Sequence, residues 1–294
     1  MRATWRKWLG FLLFLILCAV VMLRLFASPP AAVSDYDTIK ATMLKVGKAD
    51  AIIVESPFMT MVIDAGEEDD GPELVAYLKN RSIEKVDVLI VTHFDKDHVG
   101  GADTLVESVP VDRVIMPDYE SQSTEYLDFL AALEAKGIVP ERLRESVTFP
   151  FGDGEVLVEP PLTYDLVKAA THDSLLEIDN DLSLITTITH GDNRLVFTGD
   201  AEKIRLREWL ATESAVPCDF LKIPHHGVFN TEMENLAVKM QPKYTAICDS
   251  AKNPADASTV EVFKKYNANV LETKDGDIIV ISNGIQVEVS QAGS

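Results

Sequence analysis

The chain has 294 residues, 27 of them basic and 47 acidic, for a net charge of −20. That field excludes a protein that holds nucleic acid by bulk attraction, and no basic stripe with interleaved aromatics relieves it. With three cysteines and no Cys-x-x-Cys, a disulfide scaffold and a thiolate zinc cluster are excluded too; Cys218 and Cys248 read as buried thiols, with a disulfide between them left open.

In chain order, Arg2, Arg6 and Lys7 precede an apolar run over residues 9–23, followed by Arg24 and a Ser28-Pro29-Pro30-Ala31-Ala32 spacer. This pattern predicts an export segment over 1–35, an uncleaved signal-anchor helix with its positive end cytoplasmic and the remainder extracytoplasmic. Arg24 can snorkel and residues 25–27 extend the run toward bilayer length. Cleavage to a secreted form is the alternative, and lipid attachment at Cys18 is disfavoured by the large Leu17 before it. Residues 36–294 then form one domain, long enough for a single large core or two fused halves. Strand-like apolar runs fall at 38–46, 51–54, 58–63, 86–91, 113–116, 155–158, 182–188, 195–198, 220–223, 244–249, 270–273 and 278–281. Helical patterns fall at 72–80, 102–108, 123–136, 202–212, 232–239 and 259–266, the first with Pro72 at its start. Strands and helices mix through both halves, so the fold class is α/β, layered sheets covered by helices. The acidic stretch Glu67 to Asp70 reads as a solvated loop.

The chemistry concentrates where strands end. After Val86 to Val91 the chain reads Thr92-His93-Phe94-Asp95-Lys96-Asp97-His98-Val99-Gly100-Gly101, with four metal-capable side chains inside six positions. Along an extended segment His93, Asp95 and Asp97 share a face, and a turn brings His98 in beside them. Imidazole with carboxylate suits zinc, manganese or iron, and so many ligands in one loop fit two ions better than one. Two further apolar runs end in Thr198-Gly199-Asp200 and in Pro224-His225-His226-Gly227. Four of the six histidines stand at such ends, which packing alone does not explain. Asp200 could instead cap the helical pattern that begins beside it.

These motifs, with Val62-Ile63-Asp64-Ala65-Gly66 and Asn180-Asp181-Leu182-Ser183-Leu184, appear in an order that resembles the metallo-β-lactamase superfamily of binuclear metallohydrolases. The likeness is strongest to the branch formed by the C-terminal hydrolase domain of the competence protein ComEC and its stand-alone exported relatives. It implies a four-layer αββα sandwich with metal ions at one edge. His93 and Asp95 would bind a first ion; Asp97, His98 and one of the His225/His226 pair a second; Asp200 would bridge them. His225 is taken as the ligand. His226 is then the group that hydrogen-bonds substrate or protonates the leaving group, with Asp97 the other residue of the catalytic machinery. Many relatives place a His before the run at 182–188; here Asn180 or Asp181 substitutes, or His172 folds in, and Asn180 is taken as the ligand. Asp95 stands where many members have His, as is usual in the ComEC-like branch, and favours a harder ion. Val228 departs from the Ser common in that branch.

The resemblance implies two divalent ions, Zn2+ or Mn2+, and a hydroxide between them that hydrolyses phosphodiesters, either nucleic acid or a phosphorylated envelope component. DNA is therefore a candidate partner despite the acidic charge, and the membrane is one through residues 1–35. Two other readings stay open: a lactone, ester or β-lactam hydrolase on the same centre, and a non-catalytic binding module that keeps the fold.

Overall fold

The computed structural model describes residues 36–165 and 178–292. The export segment and His172 lie outside them; among the described residues no helix is long and apolar enough to cross a membrane.

Two sheets form the centre. The first takes β1 (Ile39–Met43), β2 (Ala51–Glu55), β3 (Thr60–Ala65), β4 (Val86–Ile90), β5 (Val111–Pro117) and β6 (Glu141–Leu143). It is completed from the C-terminus by β14 (Ile278–Ser282) and β15 (Val287–Gln291), in the order β15-β14-β1-β2-β3-β4-β5-β6. The second contains β7 (Val147–Phe151), β8 (Gly154–Glu159), β9 (Ile185–His190), β10 (Asn193–Phe197), β11 (Phe220–Lys222), β12 (Tyr244–Ile247) and β13 (Asn269–Glu272), in the order β13-β12-β11-β10-β9-β8-β7. Each sheet is antiparallel on one flank and parallel on the other: β3, β4, β5 and β6 run parallel in one, β10, β11, β12 and β13 in the other.

Alternation of side chains divides each central strand between two cores. Ile52, Val54, Met61, Ile63, Val88 and Ile90 meet Val156, Leu195, Phe197 and Phe220 between the sheets. Ile53, Val62 and Leu89 point the other way, against Leu74 and Leu78 of α1 (Gly71–Asn80), Leu105 of α3 (Ala102–Ser108) and Phe129 of α4 (Thr124–Lys136). On the far side Val196 and Leu221 pack on Leu206 and Trp209 of α5 (Lys203–Leu210), Leu236 of α6 (Met233–Met240) and Phe263 of α7 (Ala257–Lys265). Burial on both faces is why these strands read as unbroken apolar runs, and the result is helix, sheet, sheet, helix.

Several boundaries differ from the sequence expectation. β6, β7 and β15 were not foreseen: β6 has three residues, β7 carries Pro150 and alternates exposed positions, and all three lie at sheet edges. An edge tolerates proline and polar residues, so the apolar signal is diluted there. The run at 182–188 opens as a tight turn, Asn180–Leu182, and becomes strand only at Ile185. Asp97 and His98 sit in a single helical turn, α2 (Lys96–Val99).

Candidate metal centre

Carboxyl ends of the parallel strands from both sheets open on the same crevice, where open α/β sheets place their ligands. β3 delivers Asp64, the loop after β4 delivers His93 to His98, β10 is followed by Asp200 and β11 by the histidine pair. Asp50, His98, Asp200 and His226, all buried, each offer a ligand atom within 4.8 Å of one another.

What the side chains present to each other is more specific than proximity. Thr92 donates from its backbone N–H and from its hydroxyl to the two oxygens of Asp64, both at 2.7 Å. With its proton committed, that hydroxyl can accept only from His93 Nδ1, 3.1 Å away. Nδ1 of His98 donates to Asp64 Oδ2 at 2.8 Å, and Nδ1 of His226 to the carbonyl of Cys248 at 2.8 Å. All three rings are thus fixed by Nδ1 and turn Nε2 inward, as a metal-binding histidine does when its other nitrogen is held by a carboxylate or carbonyl. All three Nε2 atoms are buried and make no well-formed hydrogen bond. Carboxylate oxygens lie nearby: Asp200 Oδ1 3.2 Å from His98 Nε2, Asp200 Oδ2 and Asp97 Oδ2 at 3.1 and 3.2 Å from His226 Nε2, and Asp95 Oδ2 3.7 Å from His93 Nε2. Unpartnered imidazole nitrogens facing carboxylate oxygens make a donor set that fits a divalent cation.

Asp50 stands behind this front. Its oxygens approach the Nδ1 edges of His98 and His226, at 3.8 and 3.7 Å, which are already occupied. Oδ2 of Asp50 meets the ammonium of Lys222, a fully buried side chain that also donates to the Gly199 carbonyl at 2.9 Å and Asp200 Oδ1 at 3.3 Å.

Charge follows the geometry. Burial disfavours the imidazolium of His226, yet Asp200, Asp97 and Asp50 outweigh it and lift the ring to about 9; His98, likewise buried, is raised by Asp200, Asp64 and Asp50. Burial would raise Asp200 and Asp97, but the histidines around them, and Lys222 in the case of Asp200, hold both carboxyls below the usual range. A cation entering here competes with protons for the same nitrogens.

The structure places the two histidines of the pair apart. His226 joins the cluster. His225 turns away to Glu202, 2.7 Å from its Nδ1, with Asn180 Nδ2 3.4 Å from its Nε2, and stays partly open to solvent. Both residues have left-handed backbones, φ 46° and 49°, which is what throws adjacent side chains to opposite sides. Asn180, expected as a ligand, contacts His225, and its buried Oδ1 has no partner among the described residues. Asp181 is committed elsewhere: its Oδ1 accepts from the backbone of Ile204 and Arg205 at 3.1 and 3.0 Å and caps α5. That frees Asp200 from the capping role. In the same turn Asp179 lines a cavity of about 360 Å³ together with Phe94, Asp95, Asp97, Ser121 and Glu125. Its buried carboxyl is pushed well above its usual range by desolvation and by the charge of Asp95.

Asp50, Lys222, Asp179 and the role of Asp64 were missed from sequence. Lys222 carried a signal: a lysine inside the apolar run Phe220 to Ile223 demands a buried counter-charge. Asp50 stands immediately before the wholly apolar start of β2, and nothing local marks it. Cys218 and Cys248 are both buried free thiols.

The Metallo-beta-lactamase superfamily profile matches residues 45–248, which spans the whole centre. The chain belongs to that superfamily, a family of metal-dependent hydrolases. Among curated proteins it is similar to ComE operon protein 3 of Bacillus subtilis (strain 168), 25% identical over 285 residues, covering 90% of this chain and 35% of the relative. It is also similar to Recombination protein 2 of Haemophilus influenzae, 24% identical over 287 residues, covering 95% and 32%. The chain thus spans about a third of the length of these relatives. Of solved structures, the metallo-beta-lactamase fold protein YhfI from Bacillus subtilis superposes with a TM-score of 0.54 at 12% identity over 86% of this chain and all of that one. Tm1679, a metal-dependent hydrolase of the beta-lactamase superfamily, gives 0.54 at 11% identity over 80% and 95%. At such identity these two show the fold alone.

Proposed function

We propose that the chain is an extracytoplasmic metal-dependent phosphodiesterase that holds two divalent ions, Zn2+ or Mn2+, and acts on nucleic acid or on a phosphorylated envelope component. The observation that carries it is the set of three imidazoles locked by Nδ1, with Nε2 bare and turned toward Asp95, Asp97 and Asp200. Asp97, His98, Asp200 and His226 would hold one ion. His93 and Asp95 would hold the other, with Asp200 between the two and Asp179 the carboxylate of its segment that faces Asp95. Such ions supply Lewis acidity and acidify water at neutral pH. The protein's part is to fix these donors and to move a proton: His225 is partly exposed, with Glu202 2.7 Å from Nδ1, and its Nε2, now beside the Asn180 amide, would serve a leaving group on exchanging that contact for substrate. The phosphodiester preference draws on the two curated relatives, whose printed names concern the ComE operon and recombination. Export draws on the pattern of residues 1–35.

The test is turnover by the purified chain loaded with Mn2+ or Zn2+. A bis-aryl phosphodiester and single-stranded DNA are compared with an aryl ester, a lactone and a β-lactam. Cleavage of either phosphodiester ahead of the acyl substrates is expected; acyl hydrolysis ahead of both overturns the substrate class, and no turnover with full metal content points to a binding module.

A further inference from the structure

We propose that Lys222 is a resident cation of the centre, a positioning residue that neutralises Asp50 and Asp200 so that the ligands stand in place before a metal ion arrives. The inference rests on the metal-hydrolase reading and goes beyond it. Lys222 ends β11 with no exposed surface, and its three N–H directions are spent on Asp50 Oδ2, the Gly199 carbonyl and Asp200 Oδ1. The two carboxylates come from opposite sheets: Asp50 immediately precedes β2 of the first, Asp200 follows β10 of the second. One ammonium therefore ties the two walls of the crevice together at its floor.

Asp50 is coupled to the rest of the front. Its backbone N–H donates to the Asp97 carbonyl at 3.0 Å, and its carboxylate lies 3.7 to 3.8 Å from the Nδ1 atoms of both His98 and His226. Moving Asp50 shifts three ligands at once. Stability alone does not explain the arrangement, because a buried ion pair replaced by apolar groups of similar volume is often neutral or stabilising. A lysine on a metal-facing carboxylate does what an apolar residue cannot: it holds Asp50 and Asp200 near one another against their mutual repulsion, sharing Asp200 Oδ1 with the His98 side while leaving Asp200 Oδ2 to face His226 Nε2.

Without Lys222, bound metal must supply that positive charge. In Lys222→Met, the metal-chelated full chain should lose on the order of 10 °C in Tm, the size expected when one partner of a buried pair is removed from a domain this large. Mn2+ should restore most of the loss, so the Mn2+-induced shift in Tm, measured by calorimetry with Mn2+ content counted alongside, becomes larger than in wild type. A merely structural lysine would lower the chelated and loaded Tm equally. Lys222→Met/Asp50→Asn removes one of the two uncompensated charges; it should recover part of the chelated Tm and carries the same comparison if the single variant does not fold. Equal Mn2+-induced shifts in wild type and variants, with Mn2+ bound in both, overturn the proposal alone. Failure of the wild type to bind Mn2+ overturns it together with the reading it rests on.

Discussion

His225 and His226 are adjacent in sequence, and the backbone gives them different surroundings, which two substitutions can separate. His226→Ala removes an Nε2 that faces Asp97 and Asp200, and should cost at least one bound ion per chain by elemental analysis. His225→Ala should keep the metal content and lower kcat by roughly 10²- to 10⁴-fold, the span for loss of a proton-transfer group. Loss of metal in the second variant and not the first would reverse the assignment. The histidines also set a pH dependence. His226 is lifted from an ordinary 6.5 to about 9 by its carboxylates, so the stabilisation from its protonated form is complete below about pH 6.5 and is lost as pH rises through about 9. The chelated protein should therefore lose Tm between those values, whereas metal affinity should rise over the same interval because fewer protons must be displaced. Calorimetry of chelated and loaded protein across that range checks both; a parallel fall in the two would show that no proton is exchanged for metal at His226. The sequence disclosed, on short strand-end motifs, His93, Asp95, Asp97, His98, Asp200 and the histidine pair, whose side chains the fold brings to one crevice. It hid Asp50 and Asp179, since burial and a partner across the crevice, and not local spacing, make them part of the centre.

Among elements, the loop after β4 works because it turns twice in close quarters. Gly101 follows α2 and packs against Ala65 at the end of β3; a Cβ there would stand 2.4 Å from the Ala65 carbonyl oxygen and 2.8 Å from Gly71 Cα. Both obstacles are backbone, so they cannot rotate away. Gly101→Ala should cost about 1 to 3 kcal/mol, as overpacking does, visible as a lowered denaturation midpoint, with weaker metal binding because Asp97 and His98 sit in the adjoining turn. An unchanged midpoint would mean that the α2 segment yields more easily than its contacts suggest. The same contrast decides what the sequence reveals about elements. Central parallel strands are buried on both faces and announce themselves as apolar runs; β6, β7 and β15 lie on edges where solvent admits Glu141, Pro150 and Glu288, and their apolar pattern fades. Leu182 read as the start of a strand because Leu182 and Leu184 are apolar, although it closes the turn Asn180–Leu182, in which the Asp181 carboxylate accepts from the first N–H groups of α5.

For the whole molecule the governing quantity is the net charge of −20. A polyanionic substrate must approach against that field, and the carboxylates lining the cavity, Asp95, Asp97 and Glu125, outnumber the one lysine there, Lys96, and repeat the sign at short range. Bound divalent ions would offset the local part; the long-range part is left to salt, whose screening length falls from about 30 Å at 0.01 M to about 8 Å at 0.15 M. A protein that neutralises phosphates with basic side chains loses affinity steeply as salt rises. This chain should do the opposite. With metal held at saturating concentration, kcat/KM for single-stranded DNA should rise between 10 and 150 mM monovalent salt, while kcat/KM for a small bis-aryl phosphodiester, carrying one charge, should change much less. The ratio of the two rates cancels any effect of salt on the metal centre itself. A DNA rate that falls with salt while the small substrate holds steady would mean that a local basic path overrides the global charge and guides the strand to the crevice.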